Sequence, residues 1–377
     1  MRTSRSLLLA GLMLGCAFAA TPPPMVDWTA PPVASPQPQT DAEKAAGMHE
    51  GRALPERELL QPELDAQLPH YTRRHDRVLS GTFHAAASDV LPGLARAWIE
   101  AFGRLYPQVH IVLSPPYAGS LGAEELIAQK LDLVFVSREL RPDDIAKFRA
   151  RFGYPPFSVP ASGGSYRHFG FLDAVGFFVN KDNPLESLSF EQLDGILSST
   201  HHRSGHAIST WGDLGLGGEW ADKPIHVYAI KPWNGFEEFV RQRVLSTADQ
   251  RGEWREDLHF DEAVYPLAQH VAQDRYGLGY SGLAYIDAPV KMLPLASTAT
   301  DAPLPPSYEN VALARYPLSR LTYVNLNRRP GQPLDPALEE FLRFVLSFEG
   351  QRLVRAQGIF LPLRASQAGS SRALLAP

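Results

Sequence analysis

From Val78 to Phe83 the chain reads as a strand, and from Leu91 the spacing of its apolar residues changes to that of a helix. Leu91, Leu94, Ala95, Trp98, Ile99, Phe102 and Leu105 fall on one stripe, with Ser88 and Asp89 as candidate caps and Gly103 near the end. A short apolar strand from His110 to Leu113 follows, then a helix from Ser120 to Lys130 opened by Gly119 and Ser120. Next comes the nearly unbroken apolar run Leu131 to Val136. A run with no polar face predicts a parallel strand covered on both sides by helices. The unit reads βαβαβ. A second set starts at Ala174 to Val179, continues through a helix around Phe190 to Ser198, and reaches a strand at Ile225 to Ala229 with a helix from Phe236 to Val244. The C-terminal part adds a strand at Leu321 to Leu326 and a helix with Leu338, Phe341, Leu342, Val345 and Leu346 on one face. Two α/β lobes are expected, and 377 residues is indeed more than one compact core usually holds.

Composition narrows the classes. Hydrophobic residues make up 44% and charged residues 20% of the chain, a globular balance, and only one short N-terminal stretch is strongly apolar. A net charge of -5 without any run of Lys or Arg lacks the footprint of a nucleic-acid binder. The single cysteine, Cys16, lies in that N-terminal stretch, so the folded body holds no disulfide, thiolate zinc site or cysteine nucleophile. Arg2 and Arg5, an apolar core from Leu7 to Gly15 and small residues Ala17, Ala19 and Ala20 form a secretory signal over residues 1–19. Two processing routes are open, cleavage after Ala19 or lipidation of Cys16. Residues 20–75 read as a tether, proline-rich up to Thr40 and polar beyond, and the structured body is expected from about Arg77.

In open parallel sheets, ligands bind beyond the carboxyl ends of strands, where helix starts offer unpaired N–H groups. Those places hold Ser88 and Asp89 after the first strand, Gly119 and Ser120 after the second, and Ser137 and Arg138 after the third. In the second lobe they hold Lys231 through Gly235, including Asn234. Hydroxyls, an amide, an ammonium and a guanidinium on one level suit a small oxyanion. The plainer alternative stays open: the serines as helix caps and Arg138 on the surface beside Glu139 or Asp143.

Several segments then resemble, in order, the phosphate-binding proteins of bacterial ABC importers. They are Ala86 to Pro92, Gly119-Ser120, Val136 to Asp143, Val179 to Pro184, Gly277 to Leu283, Tyr316 to Arg320, Asn327 to Asp335 and Phe341 to Gln351. The resemblance covers roughly Val78 to Leu363. It implies a two-lobed type 2 periplasmic-binding-protein fold with two crossover strands: lobe 1 from 76–172 and 313–365, lobe 2 from 173–312, and a flexible tail at 366–377. It further implies an exported, periplasmic, monomeric protein without enzymatic activity, cofactor or metal, which captures inorganic phosphate or a similar tetrahedral oxyanion for an inner-membrane ABC permease. Ser88, Ser120, Ser137 and Arg138 match the family's ligand positions, whereas Asp89 stands where relatives carry a hydroxyl. The segment 229–235 is shorter than the family's Arg and Gly-Ser-Gly-Thr loop, leaving Asn234 and Gly235 as its donors. An envelope sensor or scaffold with altered anion binding is the alternative.

Three other patterns are expected to be inert. Gly277-Leu-Gly-Tyr-Ser-Gly282 fits a dinucleotide fingerprint but opens no helix. His201, His202 and His206 read as a solvated loop, and Trp211 and Trp220 as core or lobe-interface aromatics; Trp233 alone lies at the expected cleft.

Overall fold

The structure is a computed structural model that describes residues 64–114, 122–166, 172–232, 235–247, 250–264 and 266–376. Lobe 1 opens with β1 (Gly81–Ala87), α1 (Pro92–Leu105), β2 (Val109–Leu113), α2 (Ala123–Ile127), β3 (Leu133–Val136), α3 (Pro142–Phe152) and β4 (Phe157–Gly163). The apolar stripe of α1 buries Leu94, Ala95, Trp98 and Phe102, and Pro92 at its first turn pre-sets the backbone for helix. All four residues of β3 are buried, as expected of a strand covered on both faces. Ser88 and Asp89, expected as caps, are not: α1 starts after Leu91 with no side-chain cap. The helix expected from Ser120 is described only as Ala123–Ile127, preceded by Gly122 in the left-handed region (φ +83°), and the turn before it lies outside the described residues.

Lobe 2 contains β5 (Val175–Asn180), β6 (Leu188–Ser189), α4 (Phe190–Leu197), β7 (His226–Ile230), α5 (Gly235–Val240), β8 (His259–Asp261), α6 (Leu267–Gln273), β9 (Gly277–Gly282), β10 (Val290–Met292), β11 (Leu295–Ala296) and α7 (Tyr308–Ala312). The chain then returns to lobe 1 through β12 (Leu321–Leu326), α8 (Pro336–Val345), α9 (Phe348–Ala356) and α10 (Ala365–Ala373). Each lobe is built on a five-stranded sheet, ordered β2-β1-β3-β12-β4 in the first and β10-β5-β9-β7-β8 in the second, and β11 pairs with β6 in a separate two-stranded sheet. The glycine-rich 277–282 segment is a fully buried central strand, and its small residues are used up by packing: a Cβ on Gly279 would strike Phe178 and Val271.

Two crossings join the lobes, one after β4 and one before β12. They run side by side, with Gly164 N–H donating to the Arg320 carbonyl at 2.7 Å and Val175 N–H to that of Leu318 at 3.2 Å. Gly164 is needed there, because a Cβ would sit 2.5 Å from the Leu172 carbonyl.

Two ends are more ordered than the sequence suggests. The expected flexible tail forms α10, which buries Ala368, donates from the Ser371 hydroxyl to the Pro160 carbonyl, and is followed by buried Leu375. Its sparse apolar residues are enough because they dock on a preformed sheet. At the other end, part of the expected polar extension also packs on lobe 1. Leu68 is buried, and the Tyr71 hydroxyl reaches Tyr106 and the Glu340 carboxylate. Burial and that carboxylate push the Tyr71 phenol well above its usual range.

Candidate functional site

At the carboxyl end of β1 the chain turns through Ser88, whose N–H donates to the Phe135 carbonyl at 2.9 Å. Its side chain is buried, and its hydroxyl has no hydrogen-bond partner among the described residues. A buried hydroxyl left unmatched costs roughly 1–3 kcal/mol, so this position is poor as structure alone. Asp89 is exposed, and one carboxylate oxygen accepts its neighbour's N–H, that of Val90, at 3.0 Å.

After β3, Ser137 and Arg138 are both only 7% exposed. Arg138 donates to the Glu139 carbonyl and forms no ion pair among the described residues. The plainer expectation, a surface Arg138 held by Glu139 or Asp143, therefore fails. Glu139 instead takes Arg243 of lobe 2 at 3.2 Å and the Tyr323 hydroxyl at 2.8 Å. Burial lowers the Arg138 pKa, helped by the positive charge of neighbouring Arg141.

The residue that sequence reasoning missed is Arg320, at the second crossing immediately before β12. It is also 7% exposed, and its Nε has no hydrogen-bond partner among the described residues. Its guanidinium lies 4.7 Å from the ring centre of Phe239 and 5.7 Å from that of Phe236, both on α5 of lobe 2. Burial pulls its pKa down to about 10, against the nearby acid of Asp173, and Arg138 pushes it the same way. Arg138 thus lies within electrostatic reach of Arg320. Cation–π contacts contribute about 1–2 kcal/mol, while removing a charge from water costs several. Buried guanidinia of this kind suit an anionic ligand. A signal was available in the sequence: Tyr316 to Arg320 was read as a family segment, and an arginine opening an apolar crossover strand is out of place there.

Lobe 2 presents a different inventory. Lys231, expected at the cleft, is more than half exposed and paired with Glu262 at 2.7 Å. Gly235 opens α5 and is exposed, and α5 carries Glu237 and Glu238 in its first turn. Glu237 is fully buried and holds Arg241 at 2.6 Å, while Glu238 holds Arg251 at 3.2 Å. A groove of about 790 Å³ runs along the seam, lined from lobe 1 by α3 and its approach and from lobe 2 by residues including Arg203, Arg243 and Arg251; neither Arg138 nor Arg320 lines it. Of the other expected site residues, Ser120 and Asn234 lie outside the described residues, as does Trp233. Trp211 and Trp220 are buried in the lobe 2 core.

Two α/β lobes joined by paired crossings, with guanidinia buried where they meet, define a two-lobed binding protein of the type 2 periplasmic-binding fold. The chain belongs to the PBP superfamily, whose domain profile matches residues 74–349. It is 34% identical over 307 residues to the phosphate-binding protein PstS of Pseudomonas aeruginosa, an alignment spanning 81% of this chain and 90% of that protein. It is also 30% identical over 203 residues to protein SphX of a Synechocystis strain, covering 52% of this chain and 57% of that one. Among solved structures, PstS from Borrelia burgdorferi superposes with a TM-score of 0.51 at 17% identity, covering 76% of this chain and all of that one, a likeness in fold.

Proposed function

We propose that this chain captures inorganic phosphate between its lobes and delivers it to an inner-membrane ABC permease, as an exported monomer without catalytic activity. The observation that carries this reading is the pair Arg138 and Arg320, two guanidinia buried at the lobe junction that form no ion pair among the described residues. The 34% identity to a phosphate-binding protein over most of both chains supports the same ligand. In this reading Arg138 and Arg320 supply charge, and Ser88, Ser120 and Ser137 supply hydroxyl donors. Asn234 and the Gly235 N–H supply donors from lobe 2. Asp89 accepts a hydrogen bond from the P–OH of monohydrogen phosphate, a donor that sulfate lacks, and so selects between the two. No helix among the described residues is long and apolar enough to cross a membrane, and the signal at residues 1–19 with Cys16 gives the route to the periplasm, free or lipid-anchored.

Calorimetry of anion-stripped protein against phosphate, arsenate, sulfate and molybdate tests this. Saturable binding of phosphate and arsenate with little sulfate uptake is expected. A second reading, an envelope sensor or scaffold with weakened anion binding, is favoured by one observation: the lobe 2 charges are already paired with one another. Absence of heat and of any thermal shift with all four anions would select it.

A further inference from the structure

On the far edge of lobe 2, away from the crossings, β8 closes the sheet beside β7. Residues two apart on a strand share a face, so His259 and Asp261 project together, and α6 brings His270 over the same edge. The Asp261 carboxylate lies 3.6 Å from His259 Nε2 with one oxygen and 3.1 Å from His270 Nδ1 with the other. One ligand atom from each of the three residues falls within 4.8 Å of the other two. Two ligand atoms bound tetrahedrally to one zinc-sized ion at about 2.0–2.1 Å stand roughly 3.3 Å apart, so a carboxylate that reaches one imidazole with each oxygen, in a set whose ligand atoms all lie within 4.8 Å, needs only a small contraction to enclose an ion.

The surroundings hold these groups in place. Tyr228 of β7 packs against both imidazoles, its ring 5.3 Å from that of His259 and 5.6 Å from that of His270, the two imidazoles themselves meet edge to face at 5.6 Å, and the Tyr228 hydroxyl is tied to Asp274 at 2.9 Å. The backbone of Asp261 is pinned by the Lys231 N–H at 2.9 Å. Asp261 is largely covered, whereas His259 is more than half exposed and His270 about a third, so an ion has an entry path.

We propose that His259, Asp261 and His270 form a binding site for one divalent transition-metal ion of the zinc class, with a coordination position left for water. Two imidazoles and a carboxylate suit Zn²⁺, Co²⁺, Ni²⁺ or Cu²⁺, and are a poor donor set for Mg²⁺ or Ca²⁺, which prefer oxygen. The ion cross-links the edge strand to α6. The histidine-rich stretch at 201–206 offers no such grouping: His202 is spent on the Arg251 carbonyl and His206 on that of Ser204.

The test uses the full exported chain with any affinity tag removed, treated with chelator, dialysed and titrated with zinc chloride by calorimetry. One zinc per chain is expected, with binding weakened at least about tenfold in each of His259→Gln and His270→Gln. Binding should be unchanged in His201→Gln/His206→Gln. Cobalt should give a visible absorption band that Asp261→Asn alters, a readout that a purely structural role would not move. Circular dichroism of each variant establishes that it is folded. Absence of saturable zinc binding, or equal affinity in folded His259→Gln/His270→Gln, overturns the proposal and leaves Asp261 as a partner for two histidines.

Discussion

On the lobe 1 side of the seam, counting the crossing strands with it, Arg138 and Arg320 are both buried, and among the described residues neither forms an ion pair, although Asp173 lies near Arg320. On the lobe 2 side Lys231, Arg241 and Arg251 already hold Glu262, Glu237 and Glu238. The same residue types thus do opposite things in the two lobes. A cation already matched to a carboxylate loses that partner or shares it when an anion arrives, and gains little. A buried cation without a partner gains the full charge-assisted contact. Affinity should therefore reside in lobe 1 and the crossings, and lobe 2 should act mainly by closing over the ligand. Closure has its own contacts: Arg243 with Glu139 at 3.2 Å, Arg251 with Asp143 and Arg141 with Glu238 at 4.0 Å each.

The largest expected effect follows from Arg320. Arg320→Met keeps a long apolar stem against Phe236 and Phe239 and removes the charge. Phosphate affinity should fall by about 2–5 kcal/mol, the usual loss when one partner of a buried charge contact is truncated. The ligand-free protein should melt no lower than wild type, and higher if the buried charge was a net cost. A large drop in melting temperature with unchanged affinity would make Arg320 a structural clamp and dissolve the contrast between the lobes. Arg138→Ala should cost affinity in the same range. Arg320→Lys sharpens the point through pH. Burial lowers a lysine's pKa from a value already below that of arginine, so the charged form, which the anion requires, is lost as pH rises. Phosphate binding by Arg320→Lys should weaken steadily above neutrality, while wild type, whose Arg320 stays charged until about pH 10, should not.

Next in size are the hydroxyls. Ser88→Ala and Ser137→Ala should each weaken phosphate by about 1–3 kcal/mol, as expected for a hydroxyl donating to an anion. Neither should destabilise the ligand-free protein, because neither side chain caps a helix, and for Ser88 the change removes an unmatched buried group. A collapse in thermal stability of Ser88→Ala would return that residue to a structural role.

What could be read beforehand divides along the same line. Strands such as Leu133–Val136 and helices such as Pro92–Leu105 were legible because burial imposes a period on local sequence. Ser88, Ser137 and Arg138 could be singled out as candidates because strand ends are where α/β sheets bind ligands. Arg320 was not, since it owes its place to the second crossing, and the return of the chain some 180 residues after Arg138 leaves no local pattern. The pairing of Lys231 with Glu262 depends on the neighbouring strand order and was equally hidden. Residues 64–75 and α10 were misread for a related reason: their few apolar side chains dock on surfaces made by distant parts of the chain.

A smaller effect is expected at Asp89, on selectivity rather than affinity. Its exposed carboxylate already influences Arg320, so it lies within electrostatic reach of that guanidinium. Asp89→Ser should admit sulfate more readily while changing phosphate binding less. Parallel titrations with both anions decide it: a constant phosphate-to-sulfate ratio confines Asp89 to its contact with the Val90 N–H.

The smallest expected effect is also the most direct test of the comparison. Lys231 sits at the carboxyl end of β7, the position in lobe 2 equivalent to that of the serines in lobe 1, and charge alone would make it a ligand contact. Its ammonium is instead committed to Glu262 in solvent, where such a pair contributes about 0–1 kcal/mol and is screened by salt. Lys231→Ala should therefore change phosphate affinity less than about twofold, within what a surface charge does to long-range attraction, and that residue of effect should vanish in high salt. Glu262→Gln supplies the counterpart. If Lys231 is held away from the cleft only by Glu262, releasing it should strengthen phosphate binding, and Lys231→Ala in that background should abolish the gain. If β7 itself points the side chain outward, both variants should bind like wild type at every ionic strength. A loss of tenfold or more in Lys231→Ala alone would mean that lobe 2 contributes a charge of its own, and the division of labour between the lobes would fall.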